Sequence, residues 1–483
     1  MSVQAEQVNV KKDKFYLHIG ITLLLMLGVG FLPPPEPITP LGMRIIGIFI
    51  GAIYGWTFVD MLWPSILGLA TLGLTLGMTP VLNGSLGNPV IAMMLLIFPF
   101  LALVNMCHLD SVIAYWMITR KVLSGKPWLF SFVFLLAAYV SGMINVIAGI
   151  LILWSILYKI LDQFGYKPYD PYATLMMCGT VLCGTLGITA VPFHGNTLVI
   201  LTAYASISGS MVDFLQYMSF SIPIGLLLIM VYTLICRFIF HPDVSLIKNI
   251  DVSIFEQNKP KLEKKQKIVA ALLILFVVLL MTPSVLPKTW LLTKFISGLG
   301  LFGAAAVVVL LALAIRIKGK SLMDFKEMAQ NGMVWDIFFL SALALPMSSA
   351  LTAEGTGVKE FIILIMQPLL SGKSGMLFIG IVMILAALLT NVANNTVLAL
   401  IIVPIIYSFA SEVGVDSAAA VALLVLCTHM AIITPAASPM AGMLFANTAW
   451  VKAKDVYKYM SVILAAFIVI AISAGYFWLN IVF

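Results

Sequence analysis

The chain's most restrictive feature is a polar cluster in the middle of the apolar stretch 375–411. Residues 390–396 read TNVANNT, which places amide or hydroxyl side chains at five of seven positions. Hydrocarbon cannot satisfy such groups, so they must face protein, water or a bound ion. A weaker copy, SGMINV at 141–146, lies in the similar apolar stretch 127–160. A polar cluster repeated in the two halves of an apolar chain indicates a binding site at the middle of a membrane.

Composition places the chain in the membrane. Its 483 residues are 62% hydrophobic and 10% charged, with a mean hydropathy of +1.10, whereas charged residues make up about 25% of soluble domains. Apolar runs of helical span length recur along the chain, and the alternation of a lipid-facing barrel is absent. The net charge of +7 comes from basic residues in short loops, which argues against a nucleic acid partner. We therefore predict an all-α polytopic protein in a lipid bilayer.

Two segments differ from the spans. Their polar centres leave arms of about 15 residues, or roughly 22 Å of helix, which is less than the roughly 30 Å hydrocarbon core. We predict that 127–160 and 375–411 are re-entrant hairpins, although one kinked spanning helix each remains an alternative. The 11 predicted transmembrane helices cover 15–33, 43–59, 62–80, 89–108, 171–207, 213–240, 268–286, 290–315, 332–352, 416–447 and 458–482.

The distribution of basic residues favours the hairpins. With a cytoplasmic N-terminus and both hairpins re-entrant, most of the 27 Lys and Arg fall on the cytoplasmic side, as the positive-inside rule requires. A spanning helix in either place would invert every later loop. This topology puts the C-terminus outside and predicts a multi-pass protein of the cell inner (plasma) membrane. The basic residues that it places outside are Arg44, Lys288, Lys294, Lys359 and Lys373.

The same topology divides the chain into two inverted repeats. After an N-terminal segment and first span at 1–42, the first repeat covers 43–240 and the second covers 268–483, joined by a cytoplasmic linker at 241–267. Asn145 and Asn395 are separated by nearly the same number of residues as Pro192 and Pro439. This near-constant offset supports a duplication.

A long helix broken by proline follows each hairpin. Residues 191–197 read VPFHGNT and residues 434–442 read TPAASPMAG. Proline ends a helix and leaves carbonyls without their partners, so that they can coordinate a cation, while the N-terminal ends of half-helices attract anions. Proline kinks also occur for packing alone. Two matched kinks, each beside a polar hairpin, favour a binding site.

At these positions the chain resembles the divalent anion/sodium symporter family of the ion transporter superfamily. Asn394-Asn395-Thr396 is similar to the family's Ser-Asn-Thr signature, and Ser438-Pro439 to its second break. The likeness covers nearly the whole chain in segment order. It implies a homodimer, an elevator motion of a transport domain against a scaffold, and Na⁺ as the coupling ion.

The resemblance also implies the site residues. Substrate would contact Asn145, Asn394, Asn395, Thr396, His194, Ser438 and Pro439. Sodium would be held by Asn145, Gly142, Pro192, Asn391, Asn395 and Ala437. The first tip departs from the signature, because Ile144 and Val146 replace its hydroxyl residues. We therefore expect an intact second site, an altered first site, and a substrate other than a plain C4-dicarboxylate or a lower sodium count.

His194 allows two interpretations. A single histidine in an apolar helix is usually a hydrogen-bonded packing residue, but at a helix break it could contact an anion or take a proton.

We therefore predict a secondary active transporter of a small anionic substrate, most simply a di- or related carboxylate, and not an enzyme. No phosphate-binding loop, metal cluster or activated nucleophile occurs in the sequence. The alternatives are a sodium-independent anion exchanger and a cation/proton antiporter on the same architecture.

Overall fold

A computed structural model describes residues 15–248, 262–370 and 374–483. Lys373 and residues 249–261 of the linker 241–267 lie outside the described residues, so the placement of their charges stays a prediction. The described chain is helical apart from a two-stranded ribbon that pairs Arg316–Ile317 with Lys320–Ser321. Nine helical segments within these ranges are long and apolar enough to cross a membrane. A multi-pass helical membrane protein is confirmed.

Within the described residues, twenty helices follow one another, besides a single 3-10 turn at Lys121–Leu123. The first ten are α1 Phe15–Phe31, α2 Pro40–Phe58, α3 Leu62–Leu76, α4 Met78–Gly84, α5 Pro89–Met106, α6 Leu109–Ile118, α7 Pro127–Gln163, α8 Pro171–Ala190, α9 Gly195–Ser208 and α10 Phe214–Phe240. The others are α11 Lys264–Val285, α12 Leu291–Ala314, α13 Phe325–Gly332, α14 Trp335–Thr352, α15 Val358–Leu370, α16 Gly375–Leu389, α17 Asn395–Ala410, α18 Ser417–Thr428, α19 Pro439–Ala446 and α20 Ala453–Val482.

Two predicted spans are broken helices. The span 171–207 consists of α8 and α9, separated by the non-helical residues 191–194. The span 416–447 consists of α18 and α19, and its non-helical segment 429–438 is longer than the first. The first break contains Pro192 and the second contains Pro435, and Pro439 is the residue immediately after the second break. We call 191–194 the first break and 429–438 the second break.

The chain reverses its direction within α7. Asn145 has φ −150° and ψ 100°, which is extended backbone inside an otherwise helical segment. Beyond it, a Cβ placed on Gly149 would lie 2.6 Å from the Cβ of Ser141, whereas residues eight apart in one straight helix are about 12 Å apart. The two arms of α7 therefore pack against each other.

Helices α16 and α17 form a second antiparallel pair. A Cβ placed on Gly375, the first residue of α16, would lie 2.5 Å from Cγ2 of Val415 and 2.9 Å from the carbonyl oxygen of Val413, both beyond the end of α17. Each arm of 15 or 16 residues spans roughly 22–24 Å. We call 141–146 the first tip and 390–396 the second tip.

The broken helices occupy the centre of the molecule. Every residue of α8 from Tyr172 to Ala190 is buried, whereas many apolar side chains of α11 are exposed, as expected of a lipid-facing helix. Helix α8 packs on α7 and α10, and α17 packs on α9 and α18. Helix α14 contacts both α9 and α3, and α5 contacts α11 and α12. Helices α8, α9, α17 and α18 are thus the most buried, whereas α16 exposes apolar side chains on one face. We call the hairpins and breaks together the central group.

Candidate functional site

The second tip is organised by capping. Asn394 is the N-cap of α17, and its Oδ1 accepts hydrogen bonds from the backbone N–H groups of Thr396 (3.0 Å) and Val397 (3.2 Å). This is the usual reason for asparagine at a helix start. Beside it, Oγ1 of Thr390 lies 2.8 Å from Oδ1 of Asn395. The polar run is therefore a preformed start of a helix rather than a loose loop.

Asn391 joins the second tip to the second break. Its Oδ1 accepts from the backbone N–H of Ile432 (3.0 Å) and Ile433 (2.8 Å), and its Nδ2 donates to the carbonyls of Ala387 (2.8 Å) and Met430 (3.3 Å). The Thr434 hydroxyl donates to the Asn391 carbonyl. These bonds use all the side-chain capacity that one amide normally offers in this setting. The side chain of Asn391 therefore positions the second break. Its backbone carbonyl, and not its side chain, accepts the hydrogen bond from Thr434.

The second break ends in a capped helix start. Oγ of Ser438 accepts from the backbone N–H of Ala441 (3.0 Å) and donates to the carbonyl of Ala431 (3.0 Å), and Pro439 is the first residue of α19. Proline suits this position because the first N–H of a helix has no partner within the helix. The Ser438-Pro439 pair therefore fixes where α19 begins.

These elements enclose a cavity of about 220 Å³, which we call the polar cavity. It is lined by residues of the second tip, the second break, α9, α14 and α19, and by Met61, which immediately precedes α3. Its lining residues are Met61, Asn196, Val334, Asp336, Ile337, Leu340, Asn394, Asn395, Thr396, His429, Ala437, Ser438, Pro439 and Met440.

Four helices present their N-terminal ends to the polar cavity. Asn196 is the second residue of α9, Asp336 lies in the first turn of α14, Asn395 begins α17 and Pro439 begins α19. The N-terminal end of a helix carries a partial positive charge and unpaired N–H groups, which attract anions. Asp336, an acidic residue on the described wall, is exposed, so water weakens its repulsion of an anion. The arrangement is suited to an oxyanion.

The residues predicted at the first tip lie elsewhere. Oδ1 of Asn145 accepts from the backbone N–H of Ala148 (3.2 Å), which starts the second arm of α7. A Cβ on Gly142 would overlap the carbonyl oxygen of Gly184, so this glycine allows α7 to approach α8 closely. The structure thus brings together the predicted residues of the second half at the second tip and second break. The predicted residues Gly142, Asn145 and Pro192 of the first half lie outside the wall of the polar cavity.

His194 lines a different cavity. This second cavity, about 290 Å³ and here called the apolar cavity, is bounded by faces of α5 and α11 and by the first tip and first break. From the tip and break it receives Val140, Met143, Ile144, Val191, Phe193 and His194. The Nδ1 of His194 is buried and has no hydrogen-bond partner in the described residues.

Local sequence patterns alone do not identify three polar residues that line the polar cavity: His429, Asp336 and Asn196. His429, 1% exposed, donates from Nδ1 to the carbonyl of Val425 at 2.8 Å. Its Nε2 is buried and has no hydrogen-bond partner in the described residues. The sequence signal for His429 was its position shortly before Pro435. The position of Asp336 near the start of a predicted span is typical of an interfacial residue, and Asn196 is marked in the sequence only as part of VPFHGNT.

A polytopic helical membrane protein with an anion-suited cavity at paired helix breaks is a transport protein by class. Comparison with known families agrees, because the model of the sodium:sulfate symporter transmembrane region matches residues 13–483. The chain belongs to this family of secondary anion transporters, and it is not an enzyme.

A solved structure has a similar fold. The crystal structure of the YdaH transporter of Alcanivorax borkumensis, described as having an unusual topology, matches with a TM-score of 0.62 and 16% identity over 97% of this chain and 98% of that one. At this identity the likeness concerns the fold alone. No curated protein sequence matches the chain.

Proposed function

We propose that the protein is a sodium-coupled secondary transporter that binds its anion in the polar cavity. The convergence of four helix N-terminal ends with Asn394, Asn395 and Thr396 carries this proposal. Amide and hydroxyl donors replace the hydration of an oxyanion, while the dipoles of α9, α17 and α19 supply positive potential without a bound counterion. The substrate class is an anion such as a carboxylate, and sulfate is included because the family description names it.

The proposed topology comprises 11 transmembrane helices and two re-entrant hairpins in inverted repeats. Its support is the reversal within α7 and between α16 and α17. The arms α16 and α17, of 15 and 16 residues, are also shorter than the hydrocarbon core. The N-terminus would be cytoplasmic and the C-terminus external, in the plasma membrane. A cysteine-accessibility experiment tests this: cysteines placed at the two ends of α16 and α17, at 374 and 411, react from the same side if the pair is re-entrant.

Sodium is proposed as the coupled cargo ion, held by neutral oxygens. Candidates are the side chain of Asn395 and backbone carbonyls near Asn391 and Ala437, where the second break leaves carbonyls without helical partners. Hard cations take such oxygen ligands. In the first half, Asn145 and the carbonyls of Gly142 and Pro192 are the corresponding candidates.

An elevator motion of a homodimer is proposed for alternating access. The polar cavity takes its wall from the central group, from α14 and from Met61 before α3, and the apolar cavity takes its wall from the central group and from α5 and α11. Both cavities therefore lie where the central group meets peripheral helices. Sliding along this boundary would carry a bound anion across the membrane.

The test is uptake of labelled succinate and labelled sulfate into proteoliposomes, with and without an inward sodium gradient at fixed pH. Sodium-driven accumulation of either anion supports the proposal. Uptake that ignores sodium but needs an anion inside the vesicles favours the exchanger, and sodium efflux driven by a pH gradient without any anion favours the antiporter. Either result would replace sodium symport.

A further inference from the structure

The second break begins with a buried histidine. His429 directly follows the last residue of α18, lines the polar cavity and is 1% exposed. Its Nδ1 lies 2.8 Å from the carbonyl oxygen of Val425. A carbonyl oxygen only accepts hydrogen bonds, so Nδ1 must carry a proton. In the neutral ring, Nε2 is therefore an acceptor with a lone pair.

The Nε2 of His429 is buried and has no hydrogen-bond partner in the described residues. The two nitrogens of an imidazole point in nearly opposite directions, so a ring whose Nδ1 faces its own helix turns Nε2 away from that helix. A buried acceptor without a partner is costly. Because His429 forms part of the cavity wall, a molecule bound in the polar cavity can supply the missing donor.

Other polar side chains of the wall differ from His429 in what they offer a ligand. Asn394 uses its Oδ1 to cap α17, which leaves its Nδ2 donor for an anion. The Ser438 hydroxyl both donates and accepts within the protein. His429 can donate from Nε2 only as an imidazolium, and no carboxylate bonds to its ring in the described part of the chain. An isolated buried charge is unfavourable, so Nε2 stays an acceptor in the anion-free protein.

An anion without a hydrogen-bond donor fits this wall incompletely. Its oxygens can accept from Asn394 and from the helix N-terminal ends, but Nε2 of His429 stays unpaired. An anion that carries a hydroxyl group can satisfy both kinds of group. The cavity measures only about 220 Å³, so the hydroxyl group must lie close to the charged group of a small molecule.

We propose that His429 is a specificity-determining residue of the polar cavity, and that its Nε2 accepts a hydrogen bond from a hydroxyl group of the transported oxyanion. The preferred substrate class is then a small 2-hydroxycarboxylate. This inference rests on the proposed function, because the polar cavity must first bind the anion. A site that bonds to a substrate hydroxyl rejects the analogue that lacks it, because a buried polar group of the protein is then left unpaired.

Two sets of three anions test the inference. Propanoate is compared with 2-hydroxypropanoate and 2-methoxypropanoate, and succinate with its 2-hydroxy and 2-methoxy derivatives. The methoxy compounds keep the oxygen but lack the donor. Binding is measured by calorimetry on the full chain in lipid nanodiscs, with sodium present and at neutral pH, where all six acids are ionised. We expect each hydroxy anion to bind about tenfold more tightly than its parent, and the methoxy anions to gain nothing.

Two substitutions at His429 separate the acceptor from the packing of the ring. In His429→Asn the amide can still donate to the Val425 carbonyl, but nothing replaces Nε2, so the hydroxy anions should lose their advantage. In His429→Gln the longer side chain brings an amide oxygen near the position of Nε2, so part of the advantage should return. A purely structural role would weaken all six anions alike. Asp336→Ala removes a second acceptor from the same wall and should keep the wild-type ratio.

Three results would overturn the inference. The first is equal affinity within each wild-type set, or a ratio that His429→Asn leaves unchanged. The second is a ratio lost only in Asp336→Ala, which would assign the hydroxyl to that carboxylate. The third is proton uptake when propanoate binds, measured in buffers of different ionisation enthalpy and absent in His429→Asn, because Nε2 would then bind a proton instead.

The proposed function can fail separately from this inference. Sodium-driven uptake of succinate or sulfate without any preference for the hydroxy anions removes the inference and leaves the proposed function. Failure of all six anions and of sulfate to bind or be taken up removes both.

Discussion

The two hairpin tips reach a similar backbone reversal with different side chains. At the first tip the reversal lies at Asn145, between Ile144 and Val146. At the second, five polar residues of 390–396 surround it, and their hydrogen bonds extend to the second break. The polar groups are therefore not needed to turn the chain. At the second tip they line the polar cavity and bond to the second break, as the proposed anion site requires.

The largest expected difference is in the free energy of unfolding, between substitutions at Asn391 and at Ser141. These two residues are separated by the same number of residues as Asn395 and Asn145. Asn391 satisfies two N–H groups of the second break, whereas the Ser141 Oγ is buried without a partner in the described residues. We expect Asn391→Leu to lower the free energy of unfolding by about 4 kcal/mol, because buried donors lose their acceptor. Ser141→Ala should be neutral or stabilising. Thermal unfolding of the purified variants measures both, and equal losses would refute the comparison.

Substitutions at the two tips should also differ in how much they reduce sodium-driven anion uptake. Asn395→Ala removes an amide from the wall of the polar cavity, and loss of a hydrogen bond to a charged group is expected to reduce sodium-driven anion uptake by about 100-fold. Asn145→Ala removes a cap on the second arm of α7 and one proposed sodium ligand of the altered first site, so uptake should fall by about tenfold or less. Uptake is compared at matched amounts of folded protein in the vesicles. A greater loss with Asn145→Ala would show that the first tip is the main site.

Packing of the hairpins provides a smaller contrast. A Cβ on Gly142 would overlap the backbone of Gly184, whereas a Cβ on Gly380 of the second hairpin would meet only Cγ2 of Ile472 at 3.7 Å. We expect Gly142→Ala to destabilise the protein by about 2 kcal/mol through overpacking. Gly380→Ala should be stabilising by up to about 1 kcal/mol, because alanine favours the helix. Unfolding midpoints of the two variants test the difference, and a stable Gly142→Ala would mean that α7 can move away from α8.

The sequence predicted the helical fold and the positions of both breaks because proline, glycine and buried amides have few permitted settings in an apolar chain. It also indicated that Asn394, Asn395, Thr396 and Ser438 would meet, since the tip and the break lie in one half. It could not reveal Asp336 on the same wall, because α14 meets α17 and α9 only through tertiary packing.

The assignment of roles within the second tip also needed the structure. Asn391 and Asn395 are both amides in the same apolar setting, but only the hydrogen bonds distinguish a residue that positions the break from one that lines the cavity. For the first half, the sequence showed that hydroxyls were missing but not that apolar side chains of α5 and α11 enclose a cavity there. Contacts between distant helices decide such points, and no local pattern records them.

The smallest expected effect is a change in stability at the N-caps of the helices that follow the two breaks. Ser438 caps α19 with its side chain, whereas His194, with the extended backbone of an N-cap (φ −71°, ψ 139°), makes no side-chain hydrogen bond to α9. Ser438→Ala should therefore lower stability by about 1 kcal/mol, and His194→Ser should raise it by a similar amount by supplying the missing cap. Unfolding of the anion-free protein measures both. A loss of stability in His194→Ser would show that the imidazole holds the first break through packing, so that its place beside the apolar cavity is structural.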